Sequence, residues 1–374
     1  MKTSAQQSPV IAHLLSNRWN SAITEYAVHA ARALQLAGFS QVFFALRGSA
    51  GARRAAAAGI RVVEVDGFSM MQMPRIVRTI NKEFLGGESL KAVFVYGGPE
   101  TFISKWIKGM WPDIRIIRFR GDDRDATAKR GGGIMQKLSQ GHVDILLAPS
   151  DFLAQRLDAR ARMVEHGTDV DRIHRRISAD PGPAGRYTCV ILGRLDPVKG
   201  HGDFFRVFAQ MLARKGQDRY TLAVVGEPKN LSVAALELQA REAGLTPGRD
   251  VNFTTERVDD INALLSSACV GIVCSTGSEI ICRVAQEFLV CGTPIVISGV
   301  GSLREIPLLS DGFNYGGLKS PAIENALWDF LEKSRLESRE VREVRAETSA
   351  KRFGLEAMAK GLAAVLSELG IHVT

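Results

Sequence analysis

Short apolar runs alternate with helical patterns along the whole chain, and this alternation limits the possible folds more than any other feature. Strands are predicted at PVIAHLL, QVFFAL, IRVVEV, KAVFVY, IRIIRF and DILLAP, and after residue 186 at TCVILG, YTLAVVG, DVNFT, CVGIVC and TPIVIS. The clearest helix is AITEYAVHAARALQLAGF, whose apolar residues follow helical spacing up to Gly38. Because strands separated by helices form parallel sheets covered on both faces, we predict an α/β protein. Two such series indicate two doubly wound, Rossmann-like domains facing a cleft.

The 374 residues are enough for two domains, each with its own core. The polar segment 169–187 contains PGPAG, which is typical of a linker. We therefore predict a first domain at 1–170, a linker at 171–186 and a second domain at 187–345. The charged tail is predicted to be helical, and its last part, 346–374, to pack back on the first domain.

Charge is unevenly distributed along the chain. Residues 1–180 contain 26 Lys/Arg and 17 Asp/Glu, whereas the remainder contains 22 and 23. A basic first half indicates an anionic partner, such as acidic lipid, phosphorylated glycan or nucleic acid. A merely basic soluble domain is the alternative.

Several classes of protein are disfavoured by composition. No apolar run approaches the roughly 20 residues of a membrane span, and the start lacks the apolar core of a signal peptide. The five cysteines have no CxxC pair and lie in apolar surroundings: Cys189, Cys269, Cys274, Cys282 and Cys291. We interpret them as reduced core thiols of a cytosolic protein.

A first group of candidate site residues follows the strand TCVILG. Arg194 and Lys199 lie in the loop GRLDPVKG, next to the predicted start of a helix at His201. Two cations at the carboxyl end of a strand could hold a diphosphate and stabilise the charge of a leaving phosphate. The alternative is a solvated basic loop.

A second group lies in SEIICRVAQEFLVCGTPIV, which places Glu279 and Glu287 eight positions apart. Glu279 is predicted in a loop at the sheet edge, and the amides of Ile280, Ile281 and Cys282 open a helix, a natural anion site. Carboxylates accept hydrogen bonds from vicinal hydroxyls, so the two glutamates could hold sugar or ribose. A helix-terminal charge and an exposed glutamate are the alternative.

Taken together, these segments resemble the retaining glycosyltransferases of family 4, which have the GT-B fold. The resemblance rests on the G-R-x-x-x-x-K-G loop, the two glutamates separated by seven residues, and HGTDVDRI before the second domain. It covers residues from about 145 to 310 well. It implies that Arg194 and Lys199 hold the donor diphosphate, Glu279 the transferred sugar and Glu287 the ribose. It also places Val258 near the base and Gly226 in the same pocket. The second domain would then bind the nucleotide sugar and the first the acceptor.

The chain departs from the family pattern at two places. Ile280-Ile281-Cys282 stands where the family usually has Gly-x-Gly, and the loop after the first strand carries Asn20 and Ser21 where a glycine pair is usual. We expect these residues still to face the donor. A donor of unusual shape, or a degenerate site, would also fit.

A third group is RFRGDDRD, delivered by the strand IRIIRF. In the family this edge often carries an acceptor-side acid or histidine, so we expect Asp122 nearest the reacting hydroxyl. Arg118, Arg120 and Arg124 would bind an anionic acceptor. A solvated loop with internal ion pairs is the alternative. RFRGDD and SEIICR together also resemble glycosyltransferases of the lipopolysaccharide core.

The sequence predicts neither a functional histidine nor a metal site. His13, His142 and His166 stand near strand ends, and we interpret them as structural. D-R-D at 123–125 matches a metal-binding signature only formally, and Arg194 and Lys199 would supply the charge of a metal. We therefore expect no metal and no cofactor, with a UDP-sugar favoured as substrate.

The predicted reaction is glycosyl transfer with retention to a hydroxyl of a membrane-associated, lipid-linked glycan, in lipopolysaccharide-core or other cell-surface polysaccharide synthesis. The leaving phosphate would take the proton, and Asp122 would orient the acceptor. Two alternatives are a GT-B nucleotide-sugar epimerase and a catalytically degenerate glycan- or lipid-binding homologue. A nucleic-acid binder is disfavoured because no aromatic-interleaved surface or known module is present.

A membrane surface is the last predicted partner. In SKWIKGMWP, Lys105, Trp106, Lys108 and Trp111 interleave basic and aromatic residues on a predicted helix. Core tryptophans beside solvated lysines are the alternative. We expect a cytoplasmic protein attached peripherally to the inner membrane.

Overall fold

The computed structural model describes residues 8–84, 90–121, 141–176, 185–215, 219–277, 279–306 and 311–373. The chain divides into two compact units. The first unit comprises Met1–Gly167 and Gly354–Thr374, and the second comprises Thr168–Phe353.

Parallel strands form one sheet in each unit, as the alternating pattern predicts. The described strands of the first unit are β1 Val10–Leu15, β2 Ser40–Leu46, β3 Arg61–Val65, β4 Leu90–Val95, β5 Arg115–Phe119, β6 Ile145–Ala148 and β7 Ala161–Met163. Those of the second unit are β8 Tyr187–Leu192, β9 Tyr220–Val225, β10 Val251–Thr254, β11 Val270–Val273, β12 Ile295–Ile297 and β13 Gly312–Asn314. The strand orders are β3-β2-β1-β4-β5-β6-β7 and β10-β9-β8-β11-β12-β13.

Helices connect and cover these strands. The described α-helices of the first unit are α1 Ala22–Leu36, α2 Ala50–Ala57, α3 Met73–Phe84, α4 Gly98–Met110, α5 Asp151–Ala154 and, after the second unit, α12 Leu355–Glu368. Those of the second unit are α6 His201–Lys215, α7 Val233–Glu242, α8 Ile261–Ser267, α9 Arg283–Val290, α10 Ala322–Arg335 and α11 Arg339–Phe353. None of the helices in the described part of the chain combines the length and apolarity needed to cross a bilayer.

Each sheet is buried on both faces. In the second unit, Ile191 of β8 joins a core cluster with Phe204 and Phe208 of α6, whereas the adjacent Val190 joins another cluster with Phe288 of α9. Successive side chains of a strand point to opposite faces, so this division is what a doubly covered sheet requires. The Rossmann-like fold class is thereby confirmed for both units.

The C-terminal helix α12 packs against α1 of the first unit. The same helix packs on the segment that follows β7, where glycines allow a close approach: a β-carbon at Gly361 would lie 3.3 Å from Val164, and one at Gly167 would lie 3.0 Å from Met358. The predicted return of the C-terminal helix to the first domain is confirmed for α12. Residues 346–353 belong instead to α11 of the second unit.

Candidate functional site

The strand order of the second sheet reverses between β8 and β11. From β8 the chain continues toward β9 and β10, and from β11 toward β12 and β13. Open parallel sheets bind ligands at the carboxyl ends of the strands beside such a reversal. The two segments that leave this point are 193–200 and 274–282, which contain Arg194, Lys199 and Glu279 among the predicted site residues.

Lys199 and Glu279, eighty positions apart, form an ion pair at this edge. The Lys199 ammonium contacts Oε1 of Glu279, and the Ser275 hydroxyl donates a hydrogen bond to the same oxygen at 2.5 Å. The Ser298 hydroxyl in turn donates to the carbonyl of Ser275 at 2.5 Å. Glu279 is buried, so it is not a solvated charge at a helix end. The Lys199 ammonium and the buried Glu279 carboxylate are thus held together at the edge of the sheet.

The two segments are also tied together through their backbones. The amide of Thr276 donates to the carbonyl of Val198 at 2.8 Å, and the thiol of Cys274 donates to the carbonyl of Lys199 at 3.2 Å. Gly200 has φ +71°, and a β-carbon there would lie 2.1 Å from the carbonyl oxygen of Cys274. Only glycine fits both the backbone conformation and the close approach. The sequence identified Gly200 only as the last position of the G-R-x-x-x-x-K-G loop, and Ser275 was not predicted.

A second glycine supports Glu279 from the opposite side. Gly301 has φ +59°, and a β-carbon there would lie 2.3 Å from the carbonyl oxygen of Glu279. The amide of Ser302 donates to that same carbonyl at 2.9 Å. The backbone of Glu279 is therefore held as firmly as its side chain. This support is remote in sequence and was not predicted.

Cys282 has φ +55° and ψ +30° and precedes the first residue of α9. It is the only non-glycine residue with positive φ in the described part of the chain. This left-handed conformation costs an ordinary residue roughly 1–2 kcal/mol, whereas glycine adopts it freely. The chain therefore keeps the backbone conformation that suits glycine although it carries cysteine. Ile280, Ile281 and Cys282 are all buried.

Glu287 lies on α9 and is buried, so the interpretation of an exposed glutamate is wrong. Its carboxylate pairs with Arg283, one turn earlier, at 3.3 Å. The role predicted for Glu287, binding the ribose, stays a prediction.

Arg194 is exposed at the end of β8, and no ion pair involves it within the described residues. The amide of the next residue, Leu195, donates to the carbonyl of Glu227 at 2.9 Å, which joins the loops after β8 and β9. Gly226 makes this junction possible, because a β-carbon there would lie 1.8 Å from the carbonyl oxygen of Gly193. Arg194 is therefore an exposed cation on a backbone that these contacts hold in place.

A cavity of about 660 Å³ opens at the carboxyl ends of β8, β9 and β10. Gly226 and Val258, predicted to share one pocket, both line it. The remaining lining residues are Arg172, Arg176, Leu192, Val225, Glu227, Glu256, Arg257, Asp259, Asp260, Ile261 and Asn262. This volume is within the range of small-molecule sites and is large enough for a nucleoside.

The Lys199–Glu279 pair and all lining residues of the cavity except Arg172 and Arg176 lie within a segment that matches a known family model. Residues 186–329 match the model described as glycosyl transferases group 1. This segment is a group 1 glycosyltransferase domain. D-inositol 3-phosphate glycosyltransferase 2 of Catenulispora acidiphila is 30% identical over 202 residues, which cover 49% of this chain and 46% of that protein. The match thus spans about half the length of the curated relative.

Solved structures show the same architecture over nearly the whole chain. The Anabaena protein HepE, in complex with UDP and glucose, has a TM-score of 0.72 and 15% identity, covering 96% of this chain and 100% of that chain. The lipopolysaccharide outer core galactosyltransferase WaaB, in its apo form, has a TM-score of 0.70 and 11% identity, covering 96% and 99%. At these identities the likeness establishes the fold, which is GT-B.

Outside the glycosyltransferase domain, two predicted residues lie in the loop after β1. The Ser21 hydroxyl caps α1, accepting from the amide of Thr24 at 3.3 Å and from Asn17 Nδ2 at 2.7 Å. Asn20 is exposed and accepts from the guanidinium of Arg54 at 3.3 Å. Ser21 therefore has a structural task at the helix start, and the predicted donor contact of both residues stays a prediction.

The acceptor-side prediction is described only in part. Arg118 lies within β5 and is half-buried, whereas Arg120 follows the strand, is buried and donates its amide to Leu147 at 2.8 Å. Asp122 and Arg124 lie outside the described residues, as does the D-R-D sequence at 123–125. Within the described ranges no group of three His, Cys, Asp or Glu residues could hold a metal ion.

The histidines outside the glycosyltransferase domain have partners that suit a structural role. His13 is fully buried between Tyr96 and Gln41, at 2.7 and 2.8 Å, and burial lowers its pKa to about 4. His142 contacts Ser104 at 2.8 Å, and His166 stacks on His29 with ring centroids 5.0 Å apart.

The four residues predicted to form one membrane-facing surface on α4 do not share an exposed face, so that interpretation is wrong. Lys105 and Trp106 are exposed. Lys108 instead pairs with Asp144 at 3.2 Å and donates to the carbonyl of Ile114 at 2.6 Å. Trp111 packs against the core of the first unit. The helix buries the face that carries Ile103 and Ile107, and Lys108 and Trp111 flank it.

Proposed function

We propose that the protein transfers a sugar from a nucleotide-diphosphate sugar to a hydroxyl of an anionic, lipid-linked glycan. The observation that carries this proposal is the ion pair between half-buried Lys199 and buried Glu279 at the reversal of the second sheet, inside the group 1 glycosyltransferase domain. A UDP-sugar is the favoured donor. HepE, which has the same fold, was solved with UDP and glucose, which supports this choice.

The proposed donor site combines the cavity with the two adjacent segments. The nucleoside occupies the cavity lined by Gly226 and Val258. The diphosphate lies against Arg194, Lys199 and the amides of residues 280–282, where a helix N-terminus favours negative charge. Glu279 accepts hydrogen bonds from hydroxyls of the transferred sugar, and Glu287 those of the ribose.

The proposed chemistry depends on how these groups stabilise the negative charge of the leaving diphosphate. As the glycosidic bond breaks, negative charge grows on the leaving diphosphate, and fixed cations stabilise it more in the transition state than in the ground state. Lys199 is held in place by Glu279 before the donor arrives, so little reorganisation is required during the reaction. The sugar is transferred with retention and without a metal, and Asp122 orients the acceptor.

The proposed acceptor belongs to lipopolysaccharide core or another cell-surface polysaccharide. The basic first half of the chain fits an acceptor that carries phosphate or other anionic groups. Arg118, Arg120 and Arg124 are the proposed contacts. The fold shared with WaaB is compatible with this acceptor class.

The proposed site of action is the cytoplasmic face of the inner membrane, with peripheral attachment through α4. Phe102, Trp106 and Met110 are 37%, 52% and 46% exposed and recur every four residues, so they form one apolar stripe. Lys105 is exposed beside this stripe, and the adjacent helix α3 adds exposed Arg78 and Lys82. Apolar side chains flanked by cations are what an anionic lipid surface binds.

Donor binding and hydrolysis across UDP-, GDP- and ADP-sugars test the proposed function. We expect one donor to bind to the wild type and to lose at least about tenfold in affinity in Glu279→Ala. Glu347→Ala, an exposed glutamate of α11 in the same unit, is the matched control and should bind normally. Failure of the folded wild type to bind any nucleotide sugar would instead support a degenerate, glycan-binding homologue. Interconversion of the donor without transfer would support an epimerase.

A further inference from the structure

The two carboxylate oxygens of Glu279 have different surroundings. Oε1 contacts the Lys199 ammonium and accepts the hydroxyl of Ser275 at 2.5 Å. Within the described ranges of the chain, Oε2 accepts no hydrogen bond. The side chain of Glu279 keeps 9% of its surface exposed. The acceptor capacity of Oε2 is therefore unused, whereas Oε1 already has two donors.

Ser275 lies two residues after the end of β11 and is 1% exposed. A side chain buried this deeply does not contact a bound donor itself. Its hydroxyl donates to a carboxylate, and hydrogen bonds to an ionised acceptor are shorter and stronger than those between neutral groups. Any effect of this hydroxyl on ligand binding must therefore pass through Glu279.

Both residues of this hydrogen bond are anchored through their backbones. The Ser298 hydroxyl donates to the carbonyl of Ser275 at 2.5 Å. The amide of Ser302 donates to the carbonyl of Glu279 at 2.9 Å, next to the close approach of Gly301. The direction from which the Ser275 hydroxyl reaches Oε1 is thus set by the surrounding chain.

Lys199 alone would not fix the orientation of the carboxylate. Its ammonium is a compact charge with three rotatable donors on a flexible stem. The ammonium attracts both oxygens, so a carboxylate held only by Lys199 is free to turn Oε2 toward it. Ser275 opposes this turn, because its hydroxyl is a second donor that holds Oε1.

We propose that Ser275 is a positioning residue, which orients the Glu279 carboxylate so that Oε2 receives a hydroxyl of the transferred sugar. The inference rests on the proposed function, in which Glu279 binds that sugar. It assigns part of the affinity for the sugar to a hydroxyl that touches no ligand. UDP alone lacks the group that Glu279 binds, so Ser275 matters for binding the sugar and not for binding the nucleotide.

Isothermal titration of the full chain with UDP, UDP-glucose, UDP-galactose and UDP-N-acetylglucosamine tests this inference. We expect Ser275→Ala to bind the preferred UDP-sugar about tenfold more weakly and to bind UDP within about twofold of the wild type. The retained UDP affinity shows that the variant is folded. Ser298→Ala should cause a smaller loss of the same kind, and it decides the question if Ser275→Ala does not fold.

A matched control removes a different buried hydroxyl from the same unit. Ser334, on α10, is also 1% exposed, and its hydroxyl donates to the carbonyl of Phe330 at 2.7 Å. Ser334→Ala should bind UDP and the UDP-sugar as the wild type does. An equal loss of UDP and UDP-sugar affinity in Ser275→Ala and Ser298→Ala would show a merely structural role and overturn the inference.

A double-mutant cycle shows whether Ser275 acts through Glu279. Adding Ser275→Ala to Glu279→Ala should cause no further loss of UDP-sugar affinity, because the carboxylate to be positioned is absent. Independent, additive losses would overturn the inference. Wild-type affinity of Ser275→Ala for the UDP-sugar would overturn it while the proposed function stands. A folded wild type that binds none of the four compounds would overturn it together with the proposal of a UDP-sugar donor.

Discussion

Cys282 combines a left-handed backbone with a buried side chain, and this combination makes its substitutions unequal. We expect the free energy of unfolding of Cys282→Gly to lie within about 1 kcal/mol of the wild-type value. The relief of backbone strain offsets the lost packing of the side chain and the greater conformational entropy of glycine in the unfolded chain. Cys282→Val should be about 1–3 kcal/mol less stable, because a β-branched residue is strained at positive φ. Urea unfolding measures both. Cys189→Val, the same exchange on strand β8, is the control, and an equal loss there would rule out backbone strain as the cause.

The buried carboxyl group of Glu100 predicts that the stability of the folded protein depends on pH. Its carboxylate is 1% exposed and accepts the amide of Ser16 at 2.5 Å, and burial raises its pKa. A raised pKa means that the folded state holds the proton more tightly than the unfolded state. Stability from this group is therefore present at low pH and is lost as pH rises through the folded pKa.

Replacing Glu100 by Gln removes the titration while keeping the acceptor for Ser16. We expect the free energy of unfolding of Glu100→Gln, relative to that of the wild type, to increase as pH rises from 5 to 8. The increase should be about 1.4 kcal/mol for each unit by which folding raises the pKa of Glu100. Unfolding in denaturant across this range measures the difference. Glu64→Gln, at an exposed position of β3, should show no such trend. A constant difference between Glu100→Gln and the wild type would contradict the prediction.

The sequence predicts residues of the candidate site unevenly. Lys199 and Glu279 were identifiable because a cation and a carboxylate each follow a buried strand, and parallel strands end at one edge. Their direct contact, and the hydrogen bond from Ser275, depend on which strands are neighbours in the sheet. Local sequence patterns do not determine that order. The interpretation of α4 failed for a related reason. Lysine beside tryptophan is typical of a helix at a membrane surface. Which face of α4 is buried, however, depends on the elements that pack against the helix.

At the scale of elements, strands with an apolar sequence were predictable, including the edge strands β3 and β10, whereas two short edge strands were not. All eleven predicted apolar runs coincide with observed strands. Most of these strands contain consecutive buried residues, whereas the edge strands β3 and β10 are only partly buried. The additional strands β7 and β13, three residues each, lie at sheet edges. Their sequences, ARM and GFN, show neither a continuous apolar run nor a clear alternation, unlike the equally short strand β12, IVI, so composition cannot reveal them.

The exposed stripe on α4 yields the prediction for this scale. We expect the wild type to co-sediment with phosphatidylcholine vesicles that contain phosphatidylglycerol and less with phosphatidylcholine alone. The double variant Phe102→Ser and Trp106→Ser should bind the anionic vesicles about tenfold more weakly, because its apolar contact is lost. Leu238→Ser, at an exposed position of α7, is the matched control. Equal binding of the double variant and the wild type would remove α4 from the proposed contact.

At the scale of the whole molecule, the chain crosses from the first unit to the second and returns. The return could be anticipated from the helical tail, and its destination is set by apolar residues of α12 such as Leu362 and Leu366, which are fully buried. The tail lies far in sequence from the helix α1 that it covers. The first unit therefore requires both ends of the chain, whereas the second unit is continuous in sequence.

Two compact units with separate cores are expected to unfold in two thermal transitions. Leu362→Ala should lower the first unit's transition, since truncating a buried leucine costs about 2–5 kcal/mol, and should leave the second unit's transition in place. UDP should raise only the second unit's transition, because a ligand stabilises the state that binds it. Scanning calorimetry with and without UDP measures both effects. A single transition moved by both changes would mean that the units unfold as one cooperative body, and the returning helix would then couple them.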